Sequence, residues 1–277
     1  MNHSRSLGID GLASEENVMV RLKDESMSAW VSALEARHLA DLRVQEMTRA
    51  LRALSSAYVE RRHRSAGFDG PRQKVRDTLD SRGKRAAFAL FYAPLHFLAV
   101  THVVRALGAD TPPPSSILDL GCGTGAAGAA WALAAGPETA VTGIDRHPWA
   151  VDEARWTYQR LGVRGRARQG DITRVSLPRQ GDAAIAAYVL NELADEARIH
   201  VEDQLVETVE RGGRVLIIEP IARGVAPWWE KTAARYLALG GRADQWRFPI
   251  DLPPTLQLFD KAAGLHHQSL TLRSMFV

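Results

Sequence analysis

The sequence is nearly without cysteine: Cys122 is the only one among 277 residues. A single thiol excludes an internal disulfide, a cysteine zinc site and an iron–sulfur cluster, and it fits a reducing compartment such as the cytoplasm. No metal is expected. The opening stretch "MNHSRSLGIDGLASEEN" lacks an apolar run, so a signal peptide is not expected there. There is no visible internal repeat and no long low-complexity tract. Charge of one sign is not in large excess: 35 Lys and Arg stand against 32 Asp and Glu. The formal net charge of +3 permits an anionic partner without demanding one.

Long apolar runs are also scarce. One segment between Arg85 and Arg105, "AAFALFYAPLHFLAVTHVV", carries no Lys, Arg, Asp or Glu and is long enough to raise the question of a membrane span. Pro94, His96, Thr101 and His102 lie within it, and it leads directly into a strand. Those features favour a buried helix packed on a sheet, and no membrane partner is expected.

What is present divides at "GADTPPPSS", residues 108–116, where three prolines are expected to end a helix and form a stiff connector. Before it, Trp30, Val31, Leu34, Leu39, Leu42, Met47, Leu51, Leu54 and Tyr58 recur at three-to-four spacing, the period of a helix face. "SAGFDGP" interrupts that pattern with Gly67, Gly70 and Pro71. Residues 1–110 are thus expected to form an all-α N-terminal extension. After the connector, strands and helices alternate. The strands expected are "SILDLG", "AVTGID", a short one in "GRARQGDI", "DAAIAAYVL", "GGRVLIIEP" and a final "HHQSLTLRSMFV". Helices are expected from Thr124, Pro148, Ala194, Trp228 and Thr255. Alternation of this kind predicts an α/β fold over residues 111–277, a doubly wound and mostly parallel sheet with helices on both faces. Ligands of such sheets bind at the C-terminal strand ends near the topological switch point.

The chemistry concentrates in "SSILDLGCGTGAAGAAWALAA". Gly121, Gly123 and Gly125 follow an apolar strand and open a helix of small residues. With Ala126 the loop fits G-x-G-x-x-A, a dinucleotide fingerprint, and it fits G-x-G-x-G, a loop for S-adenosylmethionine, equally well. Other residues separate the two. Asp119 would repel a pyrophosphate but can help hold a cationic amino group; a solvated strand-end carboxylate is its plainer reading. Asp145, ending strand two, can accept both hydroxyls of a ribose in either ligand, or simply cap the next helix. In "QGDI", Asp171 can accept an adenine amino group while Ile172 lies on the ring. "AAYVLNEL" places Tyr188, Asn191 and Glu192 at the end of strand four, and strand five ends in Glu219.

In that order and spacing, the motifs from about Ile117 to Pro220 resemble a class I S-adenosylmethionine-dependent methyltransferase. The resemblance implies a Rossmann-like methyltransferase core, S-adenosyl-L-methionine as cofactor, and a cofactor set of Asp119, Gly121, Cys122, Gly123, Gly125, Asp145, Arg146, Asp171 and Ile172. More narrowly, "RALRALSSAYVERR", "FYAPLHFLAVTHVV" and "YVLNEL" resemble a methyltransferase-like family linked to assembly of the small ribosomal subunit. Members carry a cysteine cluster, which this chain lacks.

Methyl transfer is an in-line displacement at a sulfonium methyl, so the protein must position the acceptor, exclude water and in some cases take a proton. Tyr188, Asn191, Glu192, Glu219, Tyr92 and His96 are the candidates near the methyl, with His96 a candidate general base because an imidazole titrates near neutrality. The absence of an N-P-P-aromatic motif after strand four argues against the common amino-methylating enzymes of nucleic acid bases and protein glutamine. A basic stretch from Arg49 to Arg85, including Arg61, Arg62 and Arg64, suggests RNA or a ribosomal particle as acceptor. Two alternatives stay open. One is a small-molecule enzyme under a helical lid, in which Trp149, Trp228, Trp229 and Trp246 would matter more; the other is a non-catalytic assembly factor that binds the cofactor structurally.

Overall fold

A computed structural model describes residues 27–40, 42–64, 79–178, 180–221 and 226–277, with backbone alone at Val44 and 56–64. The expected break at "SAGFDGP" and the side chains of Tyr58, Arg61, Arg62 and Arg64 lie outside the described residues.

Among the described residues seven strands form one sheet. They are β1 (Ser116–Leu120), β2 (Ala140–Asp145), β3 (Gly165–Gln169), β4 (Ala183–Ala187), β5 (Arg214–Pro220), β6 (Arg242–Pro249) and β7 (Ser269–Phe276). Their order is β3-β2-β1-β4-β5-β7-β6. The first five pair in parallel; β7 runs antiparallel to both β5 and β6. The chain reverses direction across the sheet between β1 and β4, which is the switch point of a doubly wound fold. Strand β6 was not expected. It sits at the sheet edge with only one hydrogen-bonded neighbour, and its charged residues Arg242, Asp244 and Arg247 mask an alternation in which Trp246 and Phe248 turn inward.

Helix α1 covers 27–38 and α2 runs Val44–Arg64. Helix α3 is continuous from Arg82 to Leu107, with a π turn at Phe88–Tyr92. The π turn lies immediately before Pro94, which has no amide to give to the carbonyl four residues back, so the widened turn absorbs the missing bond. Helix α3 ends at Gly108, not at the prolines: Gly108 adopts φ 63° and its amide reaches the carbonyls of Val104 and Arg105. This helix alone is long and apolar enough to cross a membrane among the described residues, and 61% of its apolar window is buried against protein. Val100, Val103 and Val104 are fully buried in the core that contains Ile117 and Val141.

The remaining helices are α4 (Ala126–Ala135), α5 (Pro148–Arg160), α6 (Asp195–Glu210), α7 (Trp229–Ala238) and α8 (Pro254–Ala263). Helix α4 is built of small residues because it lies against the sheet. A Cβ at Gly128 would stand 2.8 Å from both Asp119 Oδ2 and Val141 Cγ1. Helix α1 is fixed to α5 through the buried Glu153, which accepts from Arg37 Nε at 3.1 Å and contacts His38 Nε2 at 2.8 Å.

Candidate functional site

The three loop glycines after β1 all take left-handed backbone: φ is 65° at Gly121, 52° at Gly123 and 80° at Gly125. L side chains disfavour that region, and space is short as well. A Cβ at Gly121 would lie 2.3 Å from Val189, and one at Gly125 2.8 Å from the Tyr158 ring. At Gly123 the nearest atom is Phe88 of α3, 3.3 Å away. The π turn of α3 therefore roofs the glycine loop.

Two carboxylates, Asp119 and Asp145, bond to this loop and the helix start after it, and a third, Asp171, follows β3. Asp119, 1% exposed, accepts from the Gly128 amide at 2.9 Å and so fastens the start of α4 to β1. Burial pushes its carboxyl up to about 7; the Gly128 bond opposes the shift and the Asp145 charge adds to it. Asp145 accepts from the Gly123 amide at 2.9 Å and the His147 amide at 2.8 Å. These bonds tie the glycine loop to β2, and a carboxylate has about four acceptor positions, so roughly two remain for a diol. Asp171 accepts from the amide and hydroxyl of Thr173 and pairs with Arg146 at 2.7 Å. Partial burial raises its pKa, but the Arg146 and Thr173 bonds outweigh this and hold it at about 2.

This donor set fits S-adenosylmethionine better than a dinucleotide. Carboxylates suit a ribose diol and a cationic amino group, whereas a pyrophosphate would meet Asp119 and Asp145 while Arg146 is already paired to Asp171. Three residues of the expected set are packed within the protein instead of opening toward a ligand: Asp119, 1% exposed and bonded to the Gly128 amide, Cys122 and Ile172. Cys122 gives its amide to the Ile144 carbonyl, and its buried Sγ lies where a Cβ on Gly143 would come within 2.7 Å. Burial drives the thiol pKa well up, so it stays protonated. Ile172, 4% exposed, packs into the core with Leu120 and Ile144.

The second half of the site lies at the end of β4. The strand stops at Ala187, three residues earlier than expected, because Tyr188 turns into left-handed backbone at φ 59°. A short 3₁₀ turn, Leu190–Glu192, follows. Tyr188 stacks on His96 of α3 with centroids 4.2 Å apart, and Tyr92 and Phe88 complete an aromatic wall, each 6.2–6.3 Å from His96. Burial lowers His96 to about 4 and raises Tyr188, so both rings are neutral at physiological pH. That corrects the expectation of a general base titrating near neutrality: a neutral imidazole whose conjugate acid has a pKa of about 4 has little drive to take a proton at pH 7.

Sequence reading underrated Glu219. It is completely buried on β5, where it accepts the Leu190 amide at 3.0 Å, the Asn191 amide at 3.3 Å and Asn191 Nδ2 at 2.6 Å. The four tryptophans do not converge. Trp149 meets His38 and His147, Trp228 pairs with Trp229, and Trp246 lies against His102. The groove between α3 and the end of β6, about 510 Å³ and lined by His102, Arg105 and Phe248, is away from the glycine loop.

Residues 117–213 match the family described as "Methyltransferase domain". That segment runs from β1 to the turn before β5 and contains the glycine loop, all three carboxylates and the turn after β4. No curated protein matches the sequence. Among solved structures, the chain is similar to an O-methyltransferase family protein from Burkholderia thailandensis, with 16% identity, TM-score 0.54, and 88% of this chain and 75% of that one covered. It is also similar to a candidate O-methyltransferase from Nostoc punctiforme PCC 73102, with 14% identity, TM-score 0.50, and 84% and 69% covered. At such identities the likeness is one of fold. The matched domain, the strand order and the carboxylate-lined glycine loop define a class I S-adenosylmethionine-dependent methyltransferase. The chain is an enzyme of that class, and S-adenosylmethionine is its cofactor. The narrower resemblance to ribosome-assembly proteins gains no support from these comparisons.

Proposed function

We propose that the enzyme methylates a small, planar, uncharged acceptor bound against the aromatic cluster that α3 and the turn after β4 form together. One observation carries this reading: Phe88, Tyr92, His96 and Tyr188 meet above the glycine loop, and His96 and Tyr188 are held neutral by burial. A cluster of neutral rings favours a flat apolar face and offers a phosphate backbone nothing. S-adenosylmethionine supplies the electrophilic methyl. Asp145 is suited to hold the ribose and Asp171 to accept from the adenine, while Asp119, buried beneath the loop, favours the cationic amino end through its charge and not by contact. Tyr188 and His96 orient the acceptor face and exclude water.

The RNA reading rested on the arginine-rich stretch. Three of its described members already bond within the protein. Arg52 donates to the Ala262 carbonyl, Arg85 donates to the Leu79 carbonyl, and Lys84 pairs with Asp80. Incubation with methyl-labelled S-adenosylmethionine and fractionated cell extract tests the proposal. Label in the small-molecule fraction is the expected result. Label in RNA or protein would refute it, and a Glu triple variant of Arg61, Arg62 and Arg64 would then show whether that stretch holds the RNA.

A further inference from the structure

Glu219 has no surface, no substrate-facing edge and three hydrogen bonds, all to one short turn. Its Oε1 receives the amides of Leu190 and Asn191, and its Oε2 receives the Asn191 side chain at 2.6 Å. An ionised carboxylate has no hydrogen to give. When ionised, Glu219 therefore compels Asn191 to present Nδ2 downward, toward β5, and leaves Oδ1 as the opposite edge of the amide. Among the described residues Oδ1 has no protein partner, and Asn191 is partly exposed at the C-terminal end of β4, beside the switch point.

We propose that Glu219 is a positioning residue of the methyl-transfer centre: it locks the Asn191 amide with its carbonyl oxygen toward the reacting sulfonium, so that the centre favours a cationic methyl donor and an acceptor bearing N–H or O–H. The inference rests on the placement of the cofactor given above. A carbonyl dipole aimed at S⁺–CH₃ attracts the charge and the polarised methyl hydrogens. The reversed amide would aim NH₂ at the same cation and repel it. S-adenosylhomocysteine, which has neither the methyl nor the charge, should be nearly indifferent to the orientation.

The lock depends on the charge of Glu219. Burial raises its carboxyl to about 8, the amides of Asn191 and Leu190 and the charge of Arg273 lower it, and the charge of Glu192 raises it. These partners come from the turn after β4 and from β7, where Arg273 stands opposite Glu219 in register; Tyr188 on the β4 side completes the surroundings. Below that pH Glu219 holds a proton, can donate to Asn191 Oδ1, and lets the amide turn over. Above it the lock is firm. Preference for S-adenosylmethionine over S-adenosylhomocysteine should therefore rise with pH. The amino acid and ribose parts of the two ligands are the same, so their own titrations cancel in the ratio.

The test is calorimetric binding of both ligands to the full chain from pH 6.5 to 9. In the wild type the affinity ratio should rise about 7-fold over this range, the gain expected if the sulfonium lowers the Glu219 pKa by one unit. Glu219→Gln should bind S-adenosylhomocysteine within about threefold of wild type and lose most of the rise; the share due to Asp119 on β1 survives. Asn191→Ala should lose the same rise, and Glu219→Gln should add nothing in the Asn191→Ala background. A ratio flat with pH in the wild type overturns the proposal. So does a full rise in either single variant, or an undiminished effect of Glu219→Gln when Asn191 is already alanine. If Glu219→Gln does not fold, the wild-type profile and Asn191→Ala decide. Failure of the wild type to bind S-adenosylhomocysteine at all would instead remove the placement of the cofactor.

Discussion

Asp119→Asn probes the carboxylate beneath the glycine loop through stability, without any acceptor in hand. In the unfolded chain this carboxyl ionises at its ordinary 3.8; in the folded protein it does so at about 7, because burial and the Asp145 charge outweigh the Gly128 bond. A raised carboxyl pKa means the native state keeps a proton that the unfolded state has released. Stability contributed by the group therefore falls as pH rises from about 4 and levels off above about 7. The gap of roughly three units corresponds to about 4 kcal/mol in total, of which about 2.5 kcal/mol is lost between pH 5 and 8. Asparagine cannot ionise, and its carbonyl can still accept the Gly128 amide. Its buried NH₂ costs about 1–3 kcal/mol at every pH, so the quantity to compare is the slope with pH and not the stability itself. Urea unfolding of both proteins without ligand, at unit steps from pH 5 to 8, gives that slope. Glu219 contributes a loss of the same sign to each and drops out of the difference. The wild type should lose about 2.5 kcal/mol more than the variant across this range. Parallel profiles would refute the reasoning, since they would mean that Asp119 ionises normally in the folded protein.

Three further perturbations bear on the site and its surroundings. Gly121→Ala brings a Cβ within 2.3 Å of Val189 in left-handed backbone. It should lower the melting temperature and abolish S-adenosylmethionine binding by calorimetry; a variant that binds normally would show the loop to be tolerant. Asp145→Ala removes the acceptor for the Gly123 and His147 amides and, on the placement proposed above, for the ribose; bonds to a charged group are worth about 1.5–3 kcal/mol, so cofactor affinity should fall about 10- to 100-fold. Glu153→Ala takes away the buried partner of Arg37 and His38. Amide exchange in 27–38 should speed up by roughly the factor corresponding to 1–3 kcal/mol, while exchange in β1 stays slow.

Much of this architecture could be read from the sequence because its signals are local. β1 and β2 are largely apolar runs, with Asp119 next to last in one and Asp145 last in the other, and the glycine loop declares itself by spacing. What escaped depends on distance. β6 looks like a polar loop until Trp246 Nε1 meets Ser274 Oγ at 2.8 Å across the sheet edge. The end of β4 was misplaced because Tyr188 takes a left-handed conformation with no glycine to signal it. Glu219 read as a strand-end acid; its role comes from amides 28 and 29 residues earlier in the chain. His96 was read with the pKa of a free imidazole, and only the packing of α3 against Tyr188 shows how far desolvation moves it. The tryptophans failed as a guide for the reverse reason: abundance of one residue type says nothing about convergence.

Helix α3 is one rod with two attachments. Its first half carries Phe88, Tyr92 and His96 over the glycine loop, while its second half buries Val100, Val103 and Val104 against the sheet. For anyone grafting a different N-terminal segment to redirect the enzyme, the seam consequently lies ahead of Ser81, which caps the helix, and not at the prolines after Gly108. A splice at the prolines would strip three valines from the sheet's own core along with the aromatic wall, so a chimera built that way would lose its scaffold before its specificity could be compared.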